Sequence, residues 1–383
     1  MKTATKTLFY LPLEPYIERS SFFMSSPGGW FEEHAAALGY FGGKGNFVRV
    51  EPSDECKRSH SGTIKSGVVL DAPNRAAWAA SQASNLCLMV ARGEVKDGDM
   101  VFFEDFWHPG MEGFFYACRL AGIKPVTGAF CFAQTLDEFD FITPLREFVA
   151  PIEDGYAAGL GHIFFASDVI RGRALARNWG VEKCHTVGLP FHSSLLDYQL
   201  SEMSPGEKIT WNGPKNDRVI FTSRFDESKN PEFFLKVVAA MPDTQFDLTC
   251  PRQSEISRLR KLTAHLPNLR ILDTSQSKLD YYRALAQSSV QFNCARQDWV
   301  SWTLIESCMA GCIPVFPRHR DFPFELADFP SLCLYKNEDL ESACRSIRFA
   351  LSLNPVMVAG PAEELVSRHN NSIPEMIRTL QQS

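Results

Sequence analysis

Short, nearly continuous apolar runs recur along the whole chain. They include Thr7–Leu11, Asn46–Val50, Met100–Phe103, Lys124–Ala129, His162–Ala166, His185–Gly188, Arg218–Thr222, Gln245–Thr249, Leu269–Leu272, Val290–Asn293 and Ile313–Phe316. Stretches with helical spacing separate them, among them Asn74–Arg92, Gly113–Ala121 and Pro231–Ala240. Strands buried on both faces lack polar alternation, and their regular interleaving with helices predicts βαβ units and parallel sheets, an α/β fold class. Ser201–Asp217 is rich in Gly, Pro, Ser and charge and carries little periodicity, so it reads as a linker. The expected organisation is therefore a domain over 1–200, a linker over 201–217, a second domain over 218–365 and a terminal helix within 366–383, whose amphipathic part is Ser372–Gln382. No internal repeat is present.

Length agrees with this division, because 383 residues exceed what one ordinary core accommodates. Apolar residues at 45% and charged residues at 22% exclude a low-complexity chain. The formal charge of −6 gives no global attraction to nucleic acid or an anionic membrane. The 11 cysteines form no Cys-x-x-Cys pair, which points to reduced thiols and a cytoplasmic location. The first apolar run is broken by Pro12, so no signal peptide is expected, and no run approaches the ~18 apolar residues of a membrane span.

Two segments of the second half carry chemistry. In the first, the strand Val219–Thr222 runs into Ser223, Arg224, a polar turn, Lys229, Asn230 and Pro231. Ligands of open α/β sheets bind beyond the carboxyl ends of strands, and two cations five residues apart in such a loop can converge on one diphosphate. In the second, the strand Val290–Asn293 leads through Asp298 to a helix from about Trp302 to Ala310, stopped by Gly311. N–H groups near Ser301, Trp302 and Thr303 would point out of that helix toward phosphate oxygens. Glu306, eight residues after Asp298, could accept from ribose hydroxyls, and Asp298 from a sugar. The bland alternatives are a solvated turn and an N-capped helix with one solvated carboxylate.

Together, about 75 residues apart, the two segments resemble the retaining glycosyltransferases of the glycogen-synthase-like and mannosyltransferase-like superfamily. That family carries an Arg-x4-Lys element and a Glu-x7-Glu element followed by Gly-x-Pro-Val. Here they read Arg224…Lys229, then Asp298…Glu306, then Gly311-Cys312-Ile313-Pro314-Val315; Phe324-Glu325-Leu326 is similar to a later acidic element. In the first half, Cys184–Asp197 resembles the strand and turn that close the family's first domain. Ser26-Pro27-Gly28-Gly29 resembles its Gly-rich loop. The resemblance implies the GT-B fold, two Rossmann-like doubly wound domains facing a central cleft. It implies that Arg224 and Lys229 neutralise a diphosphate leaving group, that Ser301, Trp302, Thr303, Gly28 and Gly29 help hold the donor, that Glu306 binds ribose and that Asp298 contacts the transferred sugar. The donor is a nucleotide-diphosphate sugar, with UDP favoured, and no metal or other cofactor is expected. Two departures stand out: Asp298 is one methylene shorter than the family's Glu, and Trp299, Val300 and Ser301 replace Gly-Phe-Gly, which adds bulk near the sugar.

On the acceptor side, the strand Met100–Phe103 runs into Glu104, Asp105, Phe106, Trp107 and His108. Two carboxylates, a histidine and a tryptophan there are costly unless used or paired. His108 and Asp105 are the candidates for holding the sugar or orienting the acceptor hydroxyl, with Asp137 behind them; the alternative is a polar turn that caps the next helix. The run from Phe102 through Phe141 is similar, loosely, to phage-encoded glycosyltransferases that modify hydroxymethylated pyrimidines in DNA. A flipped base would then stack near Phe103, Phe106 and Trp107, with phosphates tracked by Arg171, Arg173 and Arg177, by Arg252, Arg258, Arg260 and Lys261, and by Arg318 and Arg320. A saccharide, lipid-linked or small-molecule acceptor is the other possibility. A 2-epimerase and a non-catalytic nucleotide-sugar-binding protein are the competing function classes.

Overall fold

The computed structural model describes residues 6–13, 29–40, 45–59, 72–140, 142–203, 209–211, 213–275 and 277–383. Gly28 and the rest of Ser26–Gly28 lie outside them. The chain forms two compact units, Met1–Phe191 with Asn371–Ser383, and His192–Asn370.

The first unit is built on a six-stranded sheet. Its strands are β1 (Lys6–Leu11), β2 (Gly45–Arg49), β3 (Met100–Phe103), β4 (Val126–Cys131), β5 (His162–Phe165) and β6 (Cys184–Thr186). They lie in the order β2-β1-β3-β4-β5-β6, and every neighbouring pair is parallel. The chain moves outward to opposite sides of β1, which makes the β1/β3 junction the topological switch point. Much of the phenylalanine content is core: Phe102, Phe103, Phe106, Phe114, Phe130 and Phe164 are all fully buried. Phe31 stacks between Tyr10 at 4.2 Å and Phe102 at 4.8 Å.

The helix Ser372–Gln382 has the bounds read from its pattern, but it belongs to this first unit. Ile373, Met376, Ile377 and Leu380 form one stripe with no solvent exposure. The stripe packs on the helix Trp30–Ala37 and on β4. Leu380 comes so near Gly128 that a Cβ there would lie 2.8 Å from it, so the glycine is what admits the helix.

The second unit holds β7 (Asn216–Phe221), β8 (Gln245–Cys250), β9 (Leu269–Asp273), β10 (Ser288–Phe292), β11 (Ile313–Pro317) and β12 (Leu334–Tyr335). Their order is β12-β11-β10-β7-β8-β9, all parallel. Counted within the unit this is the Rossmann order, with the switch point between β7 and β10. β12 has only two residues, too few to show a pattern in sequence.

The change of unit falls at Phe191/His192, ahead of the 201–217 segment read as the linker. The helix Ser193–Met203 belongs to the second unit, where it packs against the helix Lys278–Gln287 with Leu196 and Leu200 buried. Loop composition marks a polar turn whether or not a domain ends there. All 11 cysteines are free thiols, and nine are buried. Among the described residues no helix is long and apolar enough to cross a membrane.

Candidate active site

The two chemical segments of the second half meet at the β7/β10 switch point. β7 pairs with β10 through Val219–Val290 and Ile220–Gln291, so the loops that follow both strands emerge side by side. They are joined by backbone and side chain. The Arg296 N–H donates to the Ser228 carbonyl at 2.9 Å, and Lys229 forms an ion pair with Asp298. Glu338 accepts from Arg296 Nε at 2.9 Å and from Asn230 Nδ2 at 3.2 Å, which clamps the two loops together. Asn230 itself sits at φ 53°, the left-handed turn that aims Pro231 into the next helix. Arg224 stands at the mouth of the same loop, loosely paired with Asp226 at 3.3 Å and about one-third exposed at 32%. Lys229 and Asp298 are mostly covered, with side chains 13% and 17% exposed.

The helix Trp302–Met309 begins in this loop. Its N-cap Ser301 makes no side-chain cap bond. Ser301 Oγ instead donates to Asp298 Oδ2 at 3.1 Å and lies 2.9 Å from Thr303 Oγ1. Lys229, Asp298, Ser301 and Thr303 thus gather at one helix N-terminus, while Arg224 lies earlier in the Lys229 loop. That arrangement suits a polyanion. Gly311 has the left-handed conformation (φ 71°) expected of the residue that stops the helix.

Glu306, the residue expected to accept from ribose, is enclosed by two tyrosines. It is 5% exposed, and both carboxylate oxygens are engaged: Tyr281 OH donates to Oε2 at 2.6 Å and Tyr282 OH to Oε1 at 2.7 Å. Burial raises the carboxyl above its ordinary range, and the two phenols pull part of that shift back. Burial and then the Glu306 charge push both phenols well up. No sequence spacing linked Tyr281 and Tyr282 to a residue more than twenty positions later. Trp299 departs from expectation. It is 5% exposed and covered by the Arg320 guanidinium, 4.2 Å from its ring, so its bulk is absorbed by the unit's own packing. Glu325 accepts from Arg368 at 2.6 Å and lies 3.2 Å from His369 Nε2.

In the first unit, the residues after β3 are interior. Asp105 is buried in an ion pair with Arg75 and accepts from Gln134 Nε2 at 2.6 Å and the Trp107 N–H at 3.0 Å. Glu104 is fully buried and accepts from the Tyr10 hydroxyl and, at 3.0 Å, the Leu13 N–H. Asp137 is also fully buried, and it accepts from the Phe139 N–H at 3.0 Å. His108 is 3% exposed, with Nε2 at 3.2 Å from Gln82 Oε1. Gln82 Nε2 donates to the Pro12 and Val50 carbonyls, each at 3.0 Å, which leaves its oxygen as the acceptor. His108 therefore carries its proton on Nε2 and presents Nδ1 as a lone-pair acceptor, buried and without a partner among the described residues. Burial, reinforced by Arg75, lowers its pKa to about 3, so the ring is neutral. Gly29 is the backbone N-cap of the helix Trp30–Ala37.

Part of what reads as a DNA face is consumed by the fold, while Arg258, Arg260, Lys261 and Arg318 are exposed. Phe103 and Phe106 are fully buried, and Phe106 stacks on Trp179 at 4.7 Å. Arg177 pairs with Glu153 at 2.8 Å and Asp154 at 2.6 Å, Arg173 pairs with Glu138 at 2.5 Å, and Arg171 donates to the Cys184 carbonyl at 2.8 Å. Arg252 lies 3.4 Å from Glu255.

Two parallel doubly wound units, the second in Rossmann order with its charged loops at the switch point, define the GT-B class of α/β fold. Solved structures agree. A trehalose 6-phosphate synthase from Burkholderia multivorans superposes with a TM-score of 0.63 at 13% identity, covering 99% of this chain and 96% of that one. A trehalose-6-phosphate structure from E. coli bound with UDP-2-fluoro glucose does so with a TM-score of 0.66 at 10% identity, covering 99% of each chain. A S. aureus TarM variant in complex with fondaparinux, alpha-GlcNAc-glycerol and UDP aligns with a TM-score of 0.54 at 12% identity, over 79% of this chain and 59% of that one. No family model matches the chain, and no curated protein sequence is similar to it. At these identities the likeness is one of fold.

Proposed function

We propose that this protein is a retaining glycosyltransferase that moves a sugar from a nucleotide-diphosphate sugar to an acceptor hydroxyl. The observation that carries the reading is the meeting of Lys229 and Asp298 with the N-terminus of helix Trp302–Met309 at the β7/β10 switch point, with Arg224 in the same loop as Lys229. These groups match the charge that develops when a diphosphate departs, and donors fixed in place before reaction stabilise it most effectively. The C1–O bond to the diphosphate breaks as the acceptor oxygen attacks from the same face. The acceptor proton passes to the departing phosphate oxygen, and the anomeric configuration is kept. Arg224 and Lys229 supply the positive charge that a divalent ion would bring, so turnover is expected without added metal. UDP is the favoured nucleotide, since the structural neighbours named above include ones solved with UDP or a UDP-sugar. Glu306, held by Tyr281 and Tyr282, retains lone pairs for a ribose hydroxyl, because a carboxylate has about four acceptor sites.

A saccharide or small-molecule acceptor fits better than hydroxymethylated DNA, because the arginines at 171–177 already have partners and two of the three stacking aromatics are core. The test is thermal melting against UDP, GDP, ADP and CMP sugars with Arg224→Ala beside the wild type. A ligand at ~100 times its Kd adds about 2.7 kcal/mol, a shift of several degrees. One responding nucleotide, silent in Arg224→Ala, supports the reading. A flat panel would sink it and favour a non-catalytic protein. Release of a C2-epimerised free sugar would instead promote the epimerase.

A further inference from the structure

Gln291 is fully buried on β10, and its side chain lies between the two chemical loops. Its Nε2 donates one hydrogen to Thr222 Oγ1 at 3.2 Å and the other to Thr303 Oγ1 at 3.4 Å. From Thr303 the bonds continue in a forced direction. Ser301 spends its single hydrogen on Asp298 Oδ2 at 3.1 Å, so the 2.9 Å contact between Ser301 and Thr303 is donated by Thr303. One amide therefore joins Thr222, at the end of the β7 run, to a chain that passes through Thr303 and Ser301 to Asp298. The remaining Gln291 atom, Oε1, is buried with no partner among the described residues.

A buried amide with an unsatisfied oxygen is a net cost to folding, and an apolar residue of the same length would serve the core at least as well. We propose that Gln291 is a positioning residue of the donor site. Its two donors fix the Thr222 and Thr303 hydroxyls across the β7/β10 junction and, through Thr303, the Ser301 hydroxyl at the helix N-terminus proposed to hold the diphosphate. The inference rests on the nucleotide-sugar reading given above, and it adds a residue that no carboxylate or basic spacing reveals. Gln291 acts through its threonines and touches neither carboxylate.

The test is UDP binding by calorimetry to the full chain in five forms: wild type, Arg224→Ala, Gln291→Met, Thr303→Val and the Gln291→Met/Thr303→Val double variant. Each form is also melted without nucleotide. Gln291→Met keeps the length and removes both donors. The expected result is an about tenfold weaker Kd at an unchanged or higher melting temperature, the size of one lost orienting hydrogen bond. The double variant should be no weaker than the weaker single, since both substitutions cut the same chain. A merely structural role would lower the melting temperature and leave UDP affinity alone. Wild-type affinity in Gln291→Met, or additive losses in the double variant, overturns the proposal while the Arg224→Ala control keeps the donor reading standing. If wild type binds no UDP, the donor reading falls. The ligand-free melts of Gln291→Met, Thr303→Val and their double variant then decide the hub: additive effects there overturn it as well.

Discussion

The ion pair between Lys229 and Asp298 makes the sharpest prediction, because the donor must compete with it. Lys229 holds Asp298 Oδ1, and Ser301 holds Oδ2. Both side chains are mostly covered, at 13% and 17% exposure, so water screens the pair only in part. A diphosphate that recruits Lys229 must first detach it from Asp298. Asp298→Asn keeps the shape and the Ser301 contact and removes the opposing charge. A charge-assisted hydrogen bond of this kind contributes on the order of 1–3 kcal/mol, of which the neutral amide retains part. The net release of Lys229 is then worth about 1 kcal/mol, so UDP should bind roughly fivefold more tightly to Asp298→Asn than to the wild type. Sugar transfer should fall at least a hundredfold over the same substitution, since the group proposed to contact the sugar has lost its charge. Calorimetry with UDP and a donor-turnover assay on the same preparation separate the two effects. Weaker UDP binding in Asp298→Asn, with the melting temperature preserved, would refute the reasoning. It would mean that the carboxylate holds Lys229 ready for the diphosphate rather than competing for it.

Two predictions concern the frame around the site. Lys215 Nζ is bound to three carbonyls, Trp211 O at 3.3 Å, Ala286 O at 2.7 Å and Ala310 O, and so ties down the carboxyl ends of two helices. Lys215→Met should cost about 2–3 kcal/mol and lower the Tm by roughly 5–10 °C; a shift under a degree would deny it that role. His108, with its pKa lowered to about 3 by burial, is neutral in the folded state and titrates near 6.5 when unfolded. Its contribution to stability is fully present above pH ~6.5 and is lost as pH falls toward 3, by about 2 kcal/mol at pH 5. His108→Leu should remove that part of the acid slope in unfolding curves between pH 7.5 and 5. An unchanged slope would show that the ring is charged or solvated in the fold.

Eleven of the twelve strands among the described residues were legible because doubly covered strands must be apolar throughout, whichever partners they take. The loop carrying Arg224 and Lys229 and the loop carrying Asp298 and Ser301 were legible too, as charges placed just past such strands. So was the helix Ser372–Gln382, whose stripe at Ile373, Met376, Ile377 and Leu380 requires a covering surface but does not name it. Only the tertiary structure assigned that helix to the first unit, through the gap left at Gly128.

The same limit applies to the polar groups. A buried carboxylate and a site carboxylate look identical in sequence, because a spacing records position along the chain and not the dielectric around it. Asp105 and Asp298 both follow a strand. One is closed over by Arg75 and Gln134 in the interior, while the other stands beside a helix N-terminus with a cation that a ligand can take. Glu306 was singled out by its distance from Asp298, yet Tyr281 and Tyr282, which hold it, come from another helix. Hydrogen bonds reach only about 3 Å, so which hydroxyl meets which carboxylate is decided by packing after the chain has folded. The apolar and charged pattern determined the elements and the loops that hold the chemistry. The packing of those elements decided which polar groups are spent inside the units and which remain for a ligand.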